Sequence, residues 1–152
     1  MLTIRSATID DVPVIYSLLG ESARAQGAEN ELCADPDNLR EDGFGPEPRF
    51  WCLLAESQGE AVGLALYFFL YSTWTSRKGI YLEDLYVVAP FRRQGVAKAL
   101  MARLAEVAAG MDCGYIQWAM LHENQTARRF YESLGGKVLS EWALMRIDKL
   151  GK

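Results

Sequence analysis

The stretch Ile80–Leu104, IYLEDLYVVAPFRRQGVAKALMARL, constrains the fold more than any other part of the chain. Ile80, Tyr81, Tyr86, Val87 and Val88 are the β-branched and aromatic residues of a strand. Pro90 has no N–H to give to a ladder, so pairing ends there. Arg92-Arg93-Gln94-Gly95-Val96-Ala97 then leads into a helix whose buried face is Val96, Leu100, Leu104, Val107 and Ala108. A strand, a basic glycine turn and a helix together aim free backbone N–H groups at an anion. The first helical turn leaves those groups unpaired, and the macrodipole adds positive potential. Gly95 permits close backbone approach, and small Ala97 keeps a side chain out of the way.

Length and composition bound what surrounds this stretch. A chain of 152 residues, 50% hydrophobic and 11% aromatic, is expected to form one domain, residues 1–152, with a single packed core. That composition excludes general disorder. A net charge of −4 gives no bulk attraction to nucleic acid and is compatible with a cationic substrate. Cys33, Cys52 and Cys113 are odd in number and lack metal-ligand spacing, and His122 is the sole histidine, so no metal is expected. Reduced thiols in a cytoplasmic protein are the reading they favour. Asp10 and Asp11 stand where a signal peptide would need an apolar core, and the apolar run Ala61–Tyr71 is too short to cross a bilayer as a helix. No membrane association is expected.

In chain order, Leu2–Arg5 reads as a strand, and Thr8 or Asp10 can cap a helix carrying Val12, Ile15, Leu18 and Leu19 on one stripe. Gly20 to Asn38 is polar and acidic, a solvated loop and second helix or an acidic rim that attracts an amine. Glu41-Asp42-Gly43-Phe44-Gly45 reads as a tight turn before strand Phe50–Glu56. Gly59 marks a hairpin, and Ala61–Tyr71 lacks alternation, so both faces of that strand are expected to be covered. Trp74 sits in a polar turn, either covering the sheet end or lining the substrate site. Tyr115–Leu121 reads as a fifth long strand. Asn124 can cap a helix bearing Ala127, Phe130, Tyr131 and Leu134, with Gly135-Gly136 ending it. Val138–Leu139 and Trp142–Ile147 read as the last strands. The expected fold is α/β, a mixed, mostly antiparallel sheet of six or seven strands with helices on both faces.

Two motifs, Arg92-x-x-Gly95-x-Ala97 and Asn124-x-x-Ala127-x-x-Phe130-Tyr131, together resemble the GCN5-related N-acetyltransferases (GNAT) across essentially the whole chain. Asp42-Gly43-Phe44-Gly45, Tyr71-Ser72-Thr73-Trp74 and Tyr81-Leu82-Glu83-Asp84 are similar to the diamine acetyltransferase branch of that superfamily. Ser72 and Gln26 replace acidic positions of the polyamine-acting members, so the chain looks closer to the thialysine-acting type. The resemblance implies the acyl-CoA N-acyltransferase fold, acetyl-CoA as cosubstrate, a homodimer and acetylation of a small primary amine. It implies pantetheine contacts from Leu85, Tyr86 and Val87, diphosphate contacts from Arg93, Gln94, Gly95, Val96, Ala97 and Lys98, and further cofactor contacts from Arg92, Asn124, Gln125, Thr126 and Ala127. Glu83, Asp84, Trp74, Gln117, Trp118 and Ala119 would face the substrate, and Tyr131 would be the proton donor.

The chemistry agrees with those roles. A lysine-like amine has a pKa near ~10.4, so about one molecule in a thousand is neutral at pH 7, and its proton needs an acceptor. Glu83 can take it directly or through water. Burying Glu83-Asp84 in an apolar strand would be costly without a purpose. A phenol can protonate the leaving thiolate. Tyr131 is the choice made by the resemblance, with Tyr86 and Tyr115 as possible substitutes. Acetylation of a protein or peptide amine, or noncatalytic CoA sensing, are the competing readings.

Overall fold

The computed structural model describes residues 1–151, which fall into two compact units, Met1–Trp118 and a second from Ala119 on. The first unit holds a five-stranded sheet in the order β1-β2-β3-β4-β5. The strands are β1 (Leu2–Ser6), β2 (Trp51–Ser57), β3 (Glu60–Ser72), β4 (Arg77–Val87) and β5 (Cys113–Gln117). Neighbours are antiparallel from β1 to β4, and β5 runs parallel to β4. Its helices are α1 (Val12–Ala25), α2 (Pro36–Phe44) and α3 (Val96–Gly110).

Register assigns the two faces, because paired residues share a side and successive residues alternate. Cys52, Leu54, Leu64 and Leu66 form one core with Ile15, Leu18 and Leu19 of α1, and Leu39 and Phe44 of α2 pack against it. On the other face a Cβ at Gly63 would lie 3.3 Å from Val96 and 3.4 Å from Leu100 of α3. Helices therefore cover both faces. This double cover explains the nearly unbroken apolar run of β3, where Val62, Leu64, Ala65 and Leu66 are all buried. Each fully buried leucine contributes about 1.5–3 kcal/mol.

Arg5 locks the start of this layer. Its guanidinium donates to Asp11 at 2.8 and 2.9 Å and to Glu56 at 2.9 and 3.2 Å, joining β1, the turn before α1 and β2. The Thr8 N–H donates to the same Asp11 carboxylate at 2.7 Å, so Thr8 opens a 3-10 turn, Ile9–Asp11, ahead of α1.

Several expectations are corrected. Gly43 is not in a turn but inside α2, where the Phe50 ring packs so closely that a Cβ would meet it at 2.5 Å. β5 is shorter than expected and ends at Gln117. The sheet has five strands, not six or seven, because Val138–Leu139 and Trp142–Ile147 form no strand among the described residues. Strand propensity at Trp142 and Ile147 produces no ladder without a partner edge. Among the described residues of the second unit the regular element is α4 (Gln125–Ser133).

Candidate active site

The site begins with an irregularity in β4. Leu66 pairs with Asp84 and Tyr67 with Leu82, so Glu83 is an extra residue with no partner on β3. A β-bulge of this kind bends its strand and re-aims side chains. Glu83 is exposed, whereas Asp84 is partly buried. Burial first, and then the charge of Glu83, push the Asp84 carboxyl up to about 6. The desolvation cost that the sequence assigns to the pair therefore falls on Asp84. Tyr81 is also pushed up, by burial and then by Glu83, which places its phenol within electrostatic reach of that carboxylate.

The same strand opens on its other side. The β4–β5 ladder ends at Tyr81 and Gln117, and no further strand among the described residues pairs with β4 there. From Leu82 to Val87 the strand has β3 on one side only, leaving an extended row of main-chain groups. That row includes Leu85, Tyr86 and Val87. Past a 3-10 turn, Ala89–Phe91, it runs into the basic loop.

The loop is shaped by two left-handed residues, Arg93 at φ 61° and Gly95 at φ 85°. Alternation of this kind curls consecutive N–H groups into a concave anion site. Nothing lies within 4 Å of where a Cβ on Gly95 would stand, so the approach is open. Gly95 is also the N-cap of α3, and the unpaired first-turn N–H groups of Val96, Ala97 and Lys98 follow it. Arg92 turns back: its Nε donates to the Val87 carbonyl at 2.9 Å, and its guanidinium lies 5.5 Å from the Tyr86 ring centre. It thus braces the loop against the strand end. Gln94 ties the loop to the 3-10 turn, donating to the Pro90 carbonyl at 3.0 Å. Arg93 and Lys98 are exposed.

Substrate-facing expectations divide. Gln117 and Trp118 lie at the end of β5, and Ala119 begins the second unit. Trp74 does not join Glu83. It is 89% exposed at the tip of the β3–β4 hairpin, roughly 20 Å along the strand from the bulge. Of the substitute donors, Tyr86 packs against the α1–α2 core and Tyr115 lies over Gly79.

In the second unit, Asn124 caps α4, its Oδ1 accepting from the Ala127 N–H at 3.0 Å. Gln125 and Thr126 occupy the first turn. Tyr131 is partly buried, and burial raises its phenol above the ordinary value, so it holds its proton at neutral pH. Phe130 stacks obliquely beside it at 5.2 Å.

Sequence reasoning missed the distinct environments of Glu83 and Asp84. Two consecutive acids inside a strand break the period of two, and that was the available sign of a bulge. It also missed the cross-strand pairing of Phe68 with Tyr81. Among the described residues no three His, Cys, Asp or Glu are grouped to hold a metal, and no helix is long and apolar enough to cross a membrane.

Comparison with known proteins agrees with this geometry. The profile of the Acetyltransferase (GNAT) family matches residues 13–136. The chain is 37% identical to thialysine N-epsilon-acetyltransferase of Mus musculus, over 95% of this chain and 91% of that protein. It is 38% identical to the protein of the same name from Sus scrofa, with the same coverage. A crystal structure of a probable acetyltransferase shares the fold with a TM-score of 0.82 at 19% identity, covering 99% of each chain. The open β4 edge, the left-handed turn at Gly95 and a family match over residues 13–136 converge on one conclusion: the chain belongs to the GNAT family of acetyltransferases.

Proposed function

We propose that this chain transfers an acetyl group directly from acetyl-CoA to a primary amine of a small diamine or thialysine-like amino acid. One observation carries the reading: the unpaired edge of β4 leads, through a single 3-10 turn, into the basic left-handed turn at Arg93–Lys98. An extended amide-bearing arm that ends in phosphates fits that edge and turn. The thioester supplies an activated acetyl group when bound. Main-chain groups of Leu85, Tyr86 and Val87 would hold the arm as an added strand would be held. N–H groups from Arg93 to Lys98 would take the diphosphate, with Arg92 bracing the loop. Asn124 to Ala127 would complete the cofactor contacts.

Glu83 draws in the ammonium and accepts its proton. Asp84, held near 6, carries negative charge beside it at neutral pH. Gln117, Trp118 and Ala119 would border the amine. Tyr131, protonated at neutral pH, would give its proton to the leaving sulfur. The likeness to proteins named for thialysine acetylation supports the small-amine class.

Calorimetric titration with acetyl-CoA tests the shared premise, and absence of binding at high micromolar cofactor would overturn it. A panel of amines compared by kcat/KM then tests substrate class. Small diamines and thialysine-like amino acids should exceed spermine and peptides. A peptide that outperforms every small amine would move the function to protein acetylation.

A cytoplasmic homodimer completes the reading. Trp142, Leu144, Met145 and Ile147 are 67%, 84%, 92% and 79% exposed, an apolar segment suited to a second copy. Light scattering at micromolar concentration should give twice the chain mass, and a monomer would contradict it.

A further inference from the structure

From the register of three strands we infer that Phe68 and Tyr81 form an aromatic platform that selects substrates carrying a second cationic nitrogen. This rests on the proposed acetylation of a small amine and names the residues that choose among such amines.

Tyr81 pairs with Phe68 on β3 and with Gln117 on β5, so the three side chains stand in a row on one face. The two rings stack, with centroids 5.2 Å apart and planes 25° from parallel. Neither belongs to the core under α1 and α2, and both keep part of their surface open. The bulge brings the acids to them. Tyr81 and Asp84 are three apart in sequence and would face opposite sides of a regular strand. The extra residue Glu83 puts both on the face shared by Leu66 and Phe68. Asp84 is then one rung from the aromatic pair, roughly 7 Å along the strand. A carboxylate pair and an open aromatic face at that separation suit the two ends of a lysine-length chain carrying two cations. The carboxylates hold the reacting ammonium, and the rings take the methylenes and the second cation.

The opposite face shows the same pairing made internally. Lys78 Nζ lies 5.4 Å from the centre of the Phe69 ring. Among the described residues the cation–π contacts fall on Phe69 and Tyr86, and neither involves Phe68 or Tyr81.

The test is a ratio: kcat/KM for 1,4-diaminobutane over kcat/KM for butylamine, which has the same chain without the second cation. Phe68→Leu and Tyr81→Leu should lower this ratio about 3- to 30-fold, mainly through KM for the diamine. Affinity for acetyl-CoA should stay unchanged. Tyr81→Phe should preserve the ratio. Should the leucine variants fail to fold, pentafluorophenylalanine at position 68 keeps the ring's shape and reverses its quadrupole, and it too should lower the ratio. A ratio unchanged in the fluorinated protein, or in folded leucine variants, overturns the platform. Acetylation of small amines by the wild type with such an unchanged ratio overturns this inference alone. Failure of the wild type to acetylate either amine overturns the functional reading and the platform with it.

Discussion

Asp84 faces Leu66 across the β3–β4 ladder, on the side of the sheet that carries the α1–α2 core. Its chain neighbour Glu83 has no partner and is exposed. One bulge thus gives two adjacent carboxylates different solvents. Burial, reinforced by Glu83, holds Asp84 at about 6, so folding favours its protonated form relative to the unfolded chain. The associated stability is complete below about pH 4 and is lost as pH rises through 6. Asp84→Asn should therefore match the wild type in stability near pH 4. At pH 8 it should exceed the wild type by about 2 kcal/mol, allowing for partial exposure. Thermal melts across that range decide it. A gain independent of pH would show that ionisation of Asp84 is not its source.

Gly95 tests the anion turn. Its φ of 85° is a left-handed conformation, and an added Cβ meets nothing within 4 Å. Gly95→Ala should then cost about 1–2 kcal/mol through backbone strain alone, without a clash. If the strain is relieved by a shift of the loop, the N–H groups lose their aim. Affinity for acetyl-CoA should fall roughly tenfold, equivalent to about 1.4 kcal/mol. Calorimetry that finds an unaltered Kd would remove this turn from the phosphate site.

Features governed by neighbours in sequence were legible before the fold was known. The Asn124 cap needs only the N–H of Ala127 three residues on, and the helix it starts is present. The covered faces of β3 were readable from its unbroken apolar run. Features set by packing at a distance were not. Gly43 reads as a turn residue because its helical role depends on the Phe50 ring. The apolar segment at Trp142–Ile147 has strand composition, but pairing requires an edge that composition cannot supply. Glu83 and Asp84 are chemically alike in the sequence, and only the bulge separates them.

The Arg5 clamp makes a second pH prediction, of opposite sign. Hydrogen bonds from Arg5, aided by the Thr8 N–H and opposed by burial, hold Asp11 down at about 2. The stability this gives is present above about pH 4 and is lost as pH falls through 2. Arg5 is substantially exposed, so Asp11→Asn should cost only on the order of 1 kcal/mol at pH 7. The difference from wild type should close between pH 4 and 2. Denaturant melts showing a constant gap over that range would assign the loss to the Thr8 contact, not to charge.

The roles of Glu83 and Tyr131 separate by pH. Tyr131→Phe removes one hydroxyl and keeps the ring, so acetyl-CoA binding should survive. If that hydroxyl protonates the leaving thiolate, kcat should fall roughly 10²–10⁴-fold. Glu83→Gln keeps its shape but loses the proton acceptor and the attraction for an ammonium. Its defect should shrink as pH rises toward the amine pKa of ~10.4, since more substrate then arrives neutral. The Tyr131→Phe defect should show no such rescue, because the leaving group still lacks its donor. Rates of both variants from pH 7 to 10 decide the matter. Near wild-type kcat in Tyr131→Phe would pass the acid role to Tyr86 or solvent. A Glu83→Gln defect constant with pH would leave Asp84, already ionised above about 6, as the base.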